Sequence, residues 1–276
     1  MKRDRSPTVV IDAEPCSFQP VVRKMDNRFA TALVIGSVLS LLSVIYLSAA
    51  VGTVSWYHYF TSSAQANISY TTPEDFTSDA EKMDEKAYTD ALFHFNGSLG
   101  LWQRCITVPQ DHLSQQLSAL TDSPTLFSCV FLSLSDQFLE KYQEPGNHNS
   151  EIDIVRTYLW RCQFLLPLVA LGLIFFGALV GLAGCVCQSL YPALGTGILH
   201  LLAGVCTLGS VLCFSSGIHM LEQRLPLPTG IRGEYGWSFC LACVCSPLQV
   251  MAGALFLWAS RASRREYSLM KAYRVA

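Results

Sequence analysis

Four stretches of the chain contain no Asp, Glu, Lys or Arg: Phe29 to Val54, Cys162 to Cys187, Ala193 to His219 and Trp237 to Ala259. Each is 23 to 27 residues long, and about 20 helical residues rising ~1.5 Å apiece cross a hydrocarbon core of about 30 Å. Four membrane spans are the first expectation, and the lipid bilayer is the first partner. Composition agrees, since 51% hydrophobic against 14% charged residues over 276 positions is too apolar for a soluble domain. The net charge of -2, with no basic stripe apart from the span flanks, excludes a nucleic-acid binder.

The first stretch is too long for the apolar region of a cleaved signal peptide, about 7 to 15 residues, and is read as a retained span. Basic residues near the span ends set the orientation. The inner side carries Arg23, Lys24, Arg28, Arg261, Arg264, Arg265, Lys271 and Arg274, against Arg156, Arg161, Arg224 and Arg232 outside, 8 to 4. Both termini are therefore expected in the cytosol, with the chain multi-pass at the plasma membrane. Residues 1–28 form a cytosolic tail whose Pro7, Pro15 and Pro20 and mixed charge suit disorder, with Met25 as an alternative start. The short inner turn 188–192 makes the second and third spans a tight hairpin, and 260–276 is the second cytosolic tail.

Outside lie a long segment, 55–161, and a short one, 220–236. The long segment has 14 Asp and Glu against 6 Lys and Arg, hence -8, while the short one balances Glu222 and Glu234 with Arg224 and Arg232. Two N-x-S sequons, at Asn67 and Asn96, fall in the long segment as N-glycosylation candidates. Leu92 to Phe95 and Leu99 to Val108 flank Asn96-Gly97, a dipeptide that favours a tight hairpin turn. A third strand is expected over Phe127 to Leu134, after a polar connection from Pro109 to Pro124. Asp136 would cap a short helix through Gln143, and Ser150 with Asp153 has capping-box spacing ahead of the second span. The outer layer is thus expected to be mixed α and β.

Of 11 cysteines, only Cys105 and Cys129 lie well inside the outer segment, both on expected strands, and they should be bonded. In the chain-entropy account such a bond contributes roughly 3 kcal/mol, large for so small a sheet. The cysteines in or near the spans read as small apolar packing residues. Cys185 and Cys187, at the inner end of the second span, are candidates for S-palmitoylation. Cys240-Leu241-Ala242-Cys243 has redox or zinc spacing but sits in a span without a second ligand pair, so no metal site is expected.

Trp56, then Gly100-Leu101-Trp102, then Cys105 and Cys129 resemble the signature of the claudin, peripheral myelin protein and epithelial membrane protein superfamily. The resemblance implies a mainly α membrane protein: a left-handed four-helix transmembrane bundle topped by a small extracellular antiparallel β-sheet, the two cysteines bonded across adjacent strands. It implies that Trp56 and the Gly100 to Trp102 segment anchor the sheet at the outer leaflet, and that Arg156 matches a basic residue preceding the second span. Interfacial tryptophans keep the ring among headgroups and the indole N–H wet. The intervals from Trp56 to Gly100 and from Cys105 to Cys129 are longer than in typical claudins. The chain also ends Arg274-Val275-Ala276 where many claudins end in Tyr-Val, so a PDZ scaffold partner is not carried over.

No H-E-x-x-H, G-x-S-x-G or P-loop is present, and Gly195-Thr196-Gly197 lacks the last glycine of a dinucleotide motif. No catalytic residue and no cofactor is expected. His200, an ionisable side chain within a span, has no acidic partner in any span and reads as a neutral histidine hydrogen-bonded between helices. Gly177 and Gly181 give a G-x-x-x-G that permits close helix contact in the bundle or between copies. By resemblance the expected function is that of a claudin-like tetraspan of cell–cell contacts, contributing to tight-junction or membrane organisation by association with itself or with other claudin-like tetraspans. The alternative is an auxiliary subunit regulating a channel or receptor.

Overall fold

A computed structural model of the chain describes residues 27–61, 96–109, 125–132, 138, 151–187, 191–224 and 231–275. The N-terminal tail with Met25, the Asn67 sequon, the expected strand 92–95 and the polar connection after Pro109 lie outside the described residues. So does the helix expected from Asp136, Phe138 apart, and the middle of the inner turn.

Four helices account for most of the described chain: α1 (Asn27–Gly52), α2 (Glu151–Cys187), α3 (Tyr191–Arg224) and α4 (Trp237–Val275). Each contains a stretch long and apolar enough to cross a membrane, namely Ala30–Gly52, Ile154–Ala183, Pro192–Met220 and Trp237–Ala262. In lipid every backbone polar group has to be satisfied within the segment, which is why these apolar runs are helical even with Pro167 and Pro247 inside them. α2 lies along α3, α3 along α4 and α4 along α1, while α1 and α2 touch lightly to close a four-helix bundle.

The bundle is organised for lipid. Val38, Leu41, Phe175, Phe176, Val205 and Leu212 face outward, whereas Ala203, Ala252, Ala259, Ser43 and Thr207 are buried. Because lipid tails are as apolar as leucine, helices gain little from burying leucine against one another; close approach of small residues and interhelical hydrogen bonds hold them instead. The crossing of α3 and α4 illustrates this. A Cβ on Gly197 would lie 3.0 Å from the Gly253 carbonyl oxygen, and one on Gly253 would lie 2.9 Å from that of Gly197. The Gly195-Thr-Gly197 run is thus a helix-crossing feature.

Above one end of the bundle stands an antiparallel sheet of five strands: β1 (Tyr57–Phe60), β2 (Asn96–Leu99), β3 (Gln103–Pro109), β4 (Thr125–Phe131) and β5 (Arg232–Tyr235). Their order is β4-β3-β2-β1-β5. The hairpin expected around Asn96-Gly97 is not formed there. Both residues belong to β2, where Gly97 pairs with Tyr59 of β1 and Ile106 of β3. The turn falls instead on Gly100-Leu101-Trp102, closed by Gly100 N–H donating to the Gln103 carbonyl at 2.8 Å. Gly97 is required for a reason unrelated to turns. The Tyr59 side chain lies across it, and a Cβ would overlap the phenol oxygen. Gly233 of β5 lies under Tyr57 in the same way.

The strand expected at Phe127 to Leu134 is observed as Thr125–Phe131, ending where the Leu132 N–H turns to the Trp102 carbonyl, 2.7 Å away. Two strands went unread in the sequence. β1 follows directly from α1, and β5 comes from the short outer segment, so both outer segments build one sheet.

Candidate functional site

The place where α1 gives way to β1 decides how the sheet is held. Trp56 is fully buried, and its indole N–H donates to the Ala50 carbonyl at 2.6 Å. That carbonyl belongs to the last turn of α1, whose final C=O groups have no intrahelical donor, so the tryptophan caps the helix that delivers it. Its ring meets Phe214 of α3 at 5.0 Å and Phe239 of α4 at 6.1 Å. Its main chain continues the sheet, with Trp56 N–H donating to Leu99 and Gly236 N–H donating to Trp56, at 3.2 and 2.9 Å. The expectation of an interfacial ring with a wet indole is therefore corrected. Trp56 is an internal joint linking three helices and three strands, and it keeps its N–H dry because a helix-end carbonyl is available.

Gly100, Leu101 and Trp102 sit against this joint. Leu101 is buried, and a Cβ on Gly100 would come within 2.8 Å of the Val54 Cα, so the turn is pressed onto the α1–β1 junction. Trp102 is half-buried and sets its ring edge-on to Phe164 of α2 at 4.5 Å. The two tryptophans thus divide the work, Trp56 reaching α3 and α4 and Trp102 reaching α2.

Cys105 and Cys129 face one another across β3 and β4 and are joined by a disulfide spanning 24 residues. Cys105 is fully buried. On the bundle side of β3, Arg104 is buried with its guanidinium 4.7 Å from the centroid of the Trp160 ring of α2, a cation–π contact. Arg156 is half-buried on the part of α2 that precedes the charge-free stretch beginning at Cys162. Arg161, one residue beyond Trp160, donates to the Phe138 carbonyl at 2.7 Å.

A second tie joins β1 to α3. Tyr57 is buried, and its hydroxyl donates to Glu222 Oε1 at 2.6 Å. Burial, and then the bonded carboxylate, push the Tyr57 hydroxyl well above its ordinary range, so it stays protonated. Tyr235 of β5 lies edge-on to Tyr57 at 5.6 Å and stacks on Phe239 at 4.4 Å. Sequence reasoning missed Arg104, Tyr57, Tyr59 and Glu222. The aromatic run Tyr57-His58-Tyr59-Phe60 after Trp56 was a readable strand signal, but nothing local identifies Glu222 as its partner.

Outward, the sheet offers Phe60 and Phe131, 49% and 69% exposed, and the four exposed residues of β5. Asn96 is exposed at the start of β2, its Oδ1 accepting from the Thr61 N–H and hydroxyl at 2.8 and 3.2 Å. Within the bundle, His200 is bonded as its environment requires. Nδ1 lies 2.8 Å from the Thr196 carbonyl, which can only accept, so Nδ1 carries the proton, and Nε2 meets the Ser40 hydroxyl of α1 at 2.7 Å. Thr196 Oγ1 donates to the Gly177 carbonyl at 3.0 Å, so the G-x-x-x-G face works between α2 and α3. Cys240 and Cys243 are exposed on α4. The side chains of Cys185 and Cys187 lie outside the described residues. Among the described residues no three His, Cys, Asp or Glu side chains converge on a point that could hold a metal ion.

Four spans, a stapled antiparallel sheet above one end of them, and a buried tryptophan joining the two make a specific combination. A family model described as PMP-22/EMP/MP20/Claudin tight junction matches residues 41–258. The chain belongs to this family. The matched region runs from within α1 into α4 and includes both outer segments, the whole sheet and every residue of the Trp56, Gly100-Leu101-Trp102, Cys105, Cys129 signature. As a claudin-family protein it is a multi-pass membrane protein, and the family is one of membrane and junction proteins, not of enzymes. Despite the long interval between Trp56 and Gly100, β1 and β2 are directly paired.

Proposed function

We propose that this claudin-family tetraspan works at cell–cell contacts of the plasma membrane, with both termini cytosolic, and contributes to tight-junction or membrane organisation through association of its outer layer. The observation that carries the proposal is the single sheet built from both outer segments, fastened by the Cys105–Cys129 bond and seated through Trp56 and Trp102 on all four helices. Such a sheet presents a fixed surface, and fixing a surface beforehand lowers the ordering cost of association. The long outer segment carries -8, but charges further apart than about 8 Å are largely screened at physiological salt. Contact between copies then rests on apolar and hydrogen-bonding groups, for which Phe60, Phe131 and β5 are the exposed candidates.

The test is expression in cells that lack claudins, mixed with non-expressing cells. Enrichment at borders between two expressing cells, with dilution potentials shifted toward cations by the acidic segment, is the expected result. Diffuse staining with unchanged potentials overturns it and leaves the auxiliary-subunit reading. Two modifications belong to the same proposal. Glycans on Asn67 and Asn96 would be removed by peptide glycosidase with a mass shift. At Asn96 attachment has to precede closure of β2, because the sequon hydroxyl of Ser98 is 5% exposed once folded. Palmitoylation at Cys185 and Cys187 would appear as hydroxylamine-sensitive acyl exchange lost in the double serine variant.

A further inference from the structure

Among the described residues no strand lies beyond β5, and all four residues of β5 are exposed. A sheet edge of this kind is a template for another strand. The direction of its backbone groups follows from the next residue. Gly236 N–H donates inward to the Trp56 carbonyl at 2.9 Å, continuing the register in which Tyr235 opposes Tyr57 and Glu234 opposes His58. Backbone groups alternate along a strand, so those of Glu234 and Arg232 also turn toward β1, while those of Gly233 and Tyr235 turn outward. The side chains of Arg232 and Glu234 share one face of the sheet, with Gly233 between them. The strands also rise along the outer ends of the helices. Trp56 meets Phe214, and Tyr57 meets Glu222 further out on α3; Trp102 meets Phe164, and Arg104 meets Trp160 further out on α2. β5 descends in this direction, because Tyr235 leads through Gly236 into α4.

We propose that β5 pairs edge to edge with β5 of a second copy in the facing membrane, in the one register that sets Arg232 of each copy against Glu234 of the other. This rests on the cell-contact reading and names its contact. Identical edges that pair antiparallel are related by a two-fold axis perpendicular to the sheet. Opposed residues project to the same face, so the axis passes through a residue and not between two. Through Arg232 or Glu234 it would set like charges directly opposite, which is destabilising. Through Tyr235 it would run the second strand onto the start of α4. Through Gly233 it opposes Arg232 to Glu234 twice and Ile231 to Tyr235 twice, with the outward N–H and C=O groups of the two Gly233 residues facing each other. The strand direction then fixes where the second copy resides. Copies in one membrane bring descending strands together parallel, whereas an antiparallel partner descends toward the opposite membrane.

The experiment uses the full chain in two cell populations that lack claudins, each with its own epitope tag, so that a dimer carrying both tags has formed between cells. With Arg232→Cys in one population and Glu234→Cys in the other, mild oxidation of the mixed layer should give such a dimer, reversed by dithiothreitol. Either variant facing itself should give on the order of tenfold less, because those positions are diagonal neighbours about 7–8 Å apart, beyond disulfide reach. Charge reversal supplies the second arm. Arg232→Glu facing itself, or Glu234→Arg facing itself, opposes like charges at both pairs, and enrichment at borders should fall on the order of fivefold. Mixing the two variant populations recreates both opposite pairs and should restore it. Surface biotinylation checks delivery, and should a charge variant fail to arrive, the cysteine pair decides. The pairing is overturned if like and unlike cysteine pairs link equally, if dimers with both tags form only when both proteins are expressed in one cell, or if the wild type concentrates at borders and charge reversal leaves that unchanged. A wild type that never concentrates at borders removes the cell-contact reading itself, and this pairing with it.

Discussion

The bundle and the sheet obey opposite rules although one chain builds both. In the bundle many large apolar residues face outward and small or polar ones share the interior with a few large ones, with Phe176 exposed and Gln249, Thr207 and His200 inside beside Leu47 and Phe164. In the sheet the largest side chains, Trp56 and Tyr59, are the most buried. The difference is the solvent. Burial of an aromatic ring from water is worth a few kcal/mol, whereas the same burial from lipid gives almost nothing, so the bundle relies on close approach and hydrogen bonds. Trp56 belongs to the sheet by sequence and to the bundle by contact, and it is where the two rules meet.

The sharpest way to break that joint is Trp56→Ala. Loss of a fully buried ring and its bond to Ala50 should cost about 3–5 kcal/mol and detach the sheet while leaving the spans inserted. Retention in the secretory pathway together with a normal protease-protected pattern of the four spans would show this. Trp102→Ala, at a half-buried position, should cost clearly less, and equal effects of the two would contradict the division between them. Next in size is Cys105→Ala, which leaves Cys129 unpaired and should cost on the order of 2–5 kcal/mol. The change confines itself to the outer layer if the two regions are as separate as their packing implies, and is read from surface delivery and from protease sensitivity of the outer segment alone.

These contrasts explain what could be read in the sequence. The four helices were legible because a lipid-facing helix satisfies its backbone locally, so an uncharged run of sufficient length settles the matter. Their ends were less so: α2 begins at Glu151, ahead of the charge-free stretch, because Arg156 and Arg161 sit on a helix that rises beside the sheet. The disulfide was legible from compartment alone. The sheet was not, since a strand is defined by a partner that can be far away in sequence. β5 pairs with β1 in the register Tyr57↔Tyr235, and no local pattern in Arg232-Gly233-Glu234-Tyr235 announces it. Asn96-Gly97 misled because glycine has two uses. Turn chemistry needs its backbone freedom, while β2 needs the empty space under Tyr59.

That second use gives a prediction of intermediate size. Gly97→Ala places a methyl against the Tyr59 phenol and should cost about 1–3 kcal/mol as overpacking. If the clash with Tyr59 is the reason, Tyr59→Phe, which removes the overlapping oxygen, should recover part of the loss, and a double-mutant cycle on outer-layer stability reads the coupling. Additive losses would restore the turn explanation.

Smaller again is Tyr57→Phe, which removes the bond to Glu222 and should cost about 1 kcal/mol. It also carries a pH signature. The folded Tyr57 holds its proton to higher pH than an unfolded tyrosine, which titrates near 10. Its contribution is complete below pH 10 and declines as pH rises toward the folded value, because the unfolded chain ionises first. The outer layer of the wild type should therefore lose stability between about pH 10 and 11 more steeply than that of Tyr57→Phe. Parallel slopes would remove Tyr57 from the account.

The smallest effect is expected where intuition places a large one, at the buried His200–Ser40 bond between α3 and α1. A 2.7 Å hydrogen bond inside lipid has no water to compete with it, and in vacuum such a bond is worth several kcal/mol. The relevant reference is a helix already inserted in the bilayer, however, where Ser40 returns its hydroxyl to a carbonyl of its own helix and His200 keeps Nδ1–H on Thr196. Only the difference counts, and measured couplings of this kind average about 0.6 kcal/mol. A cycle of Ser40→Ala and His200→Asn, read by steric-trap or thermal unfolding in bicelles, should return a coupling of that order and far below the loss at Trp56. A coupling of several kcal/mol would mean that the bundle is held by polar locks as strongly as the sheet is held by burial, and the contrast between the two regions would fail at its centre.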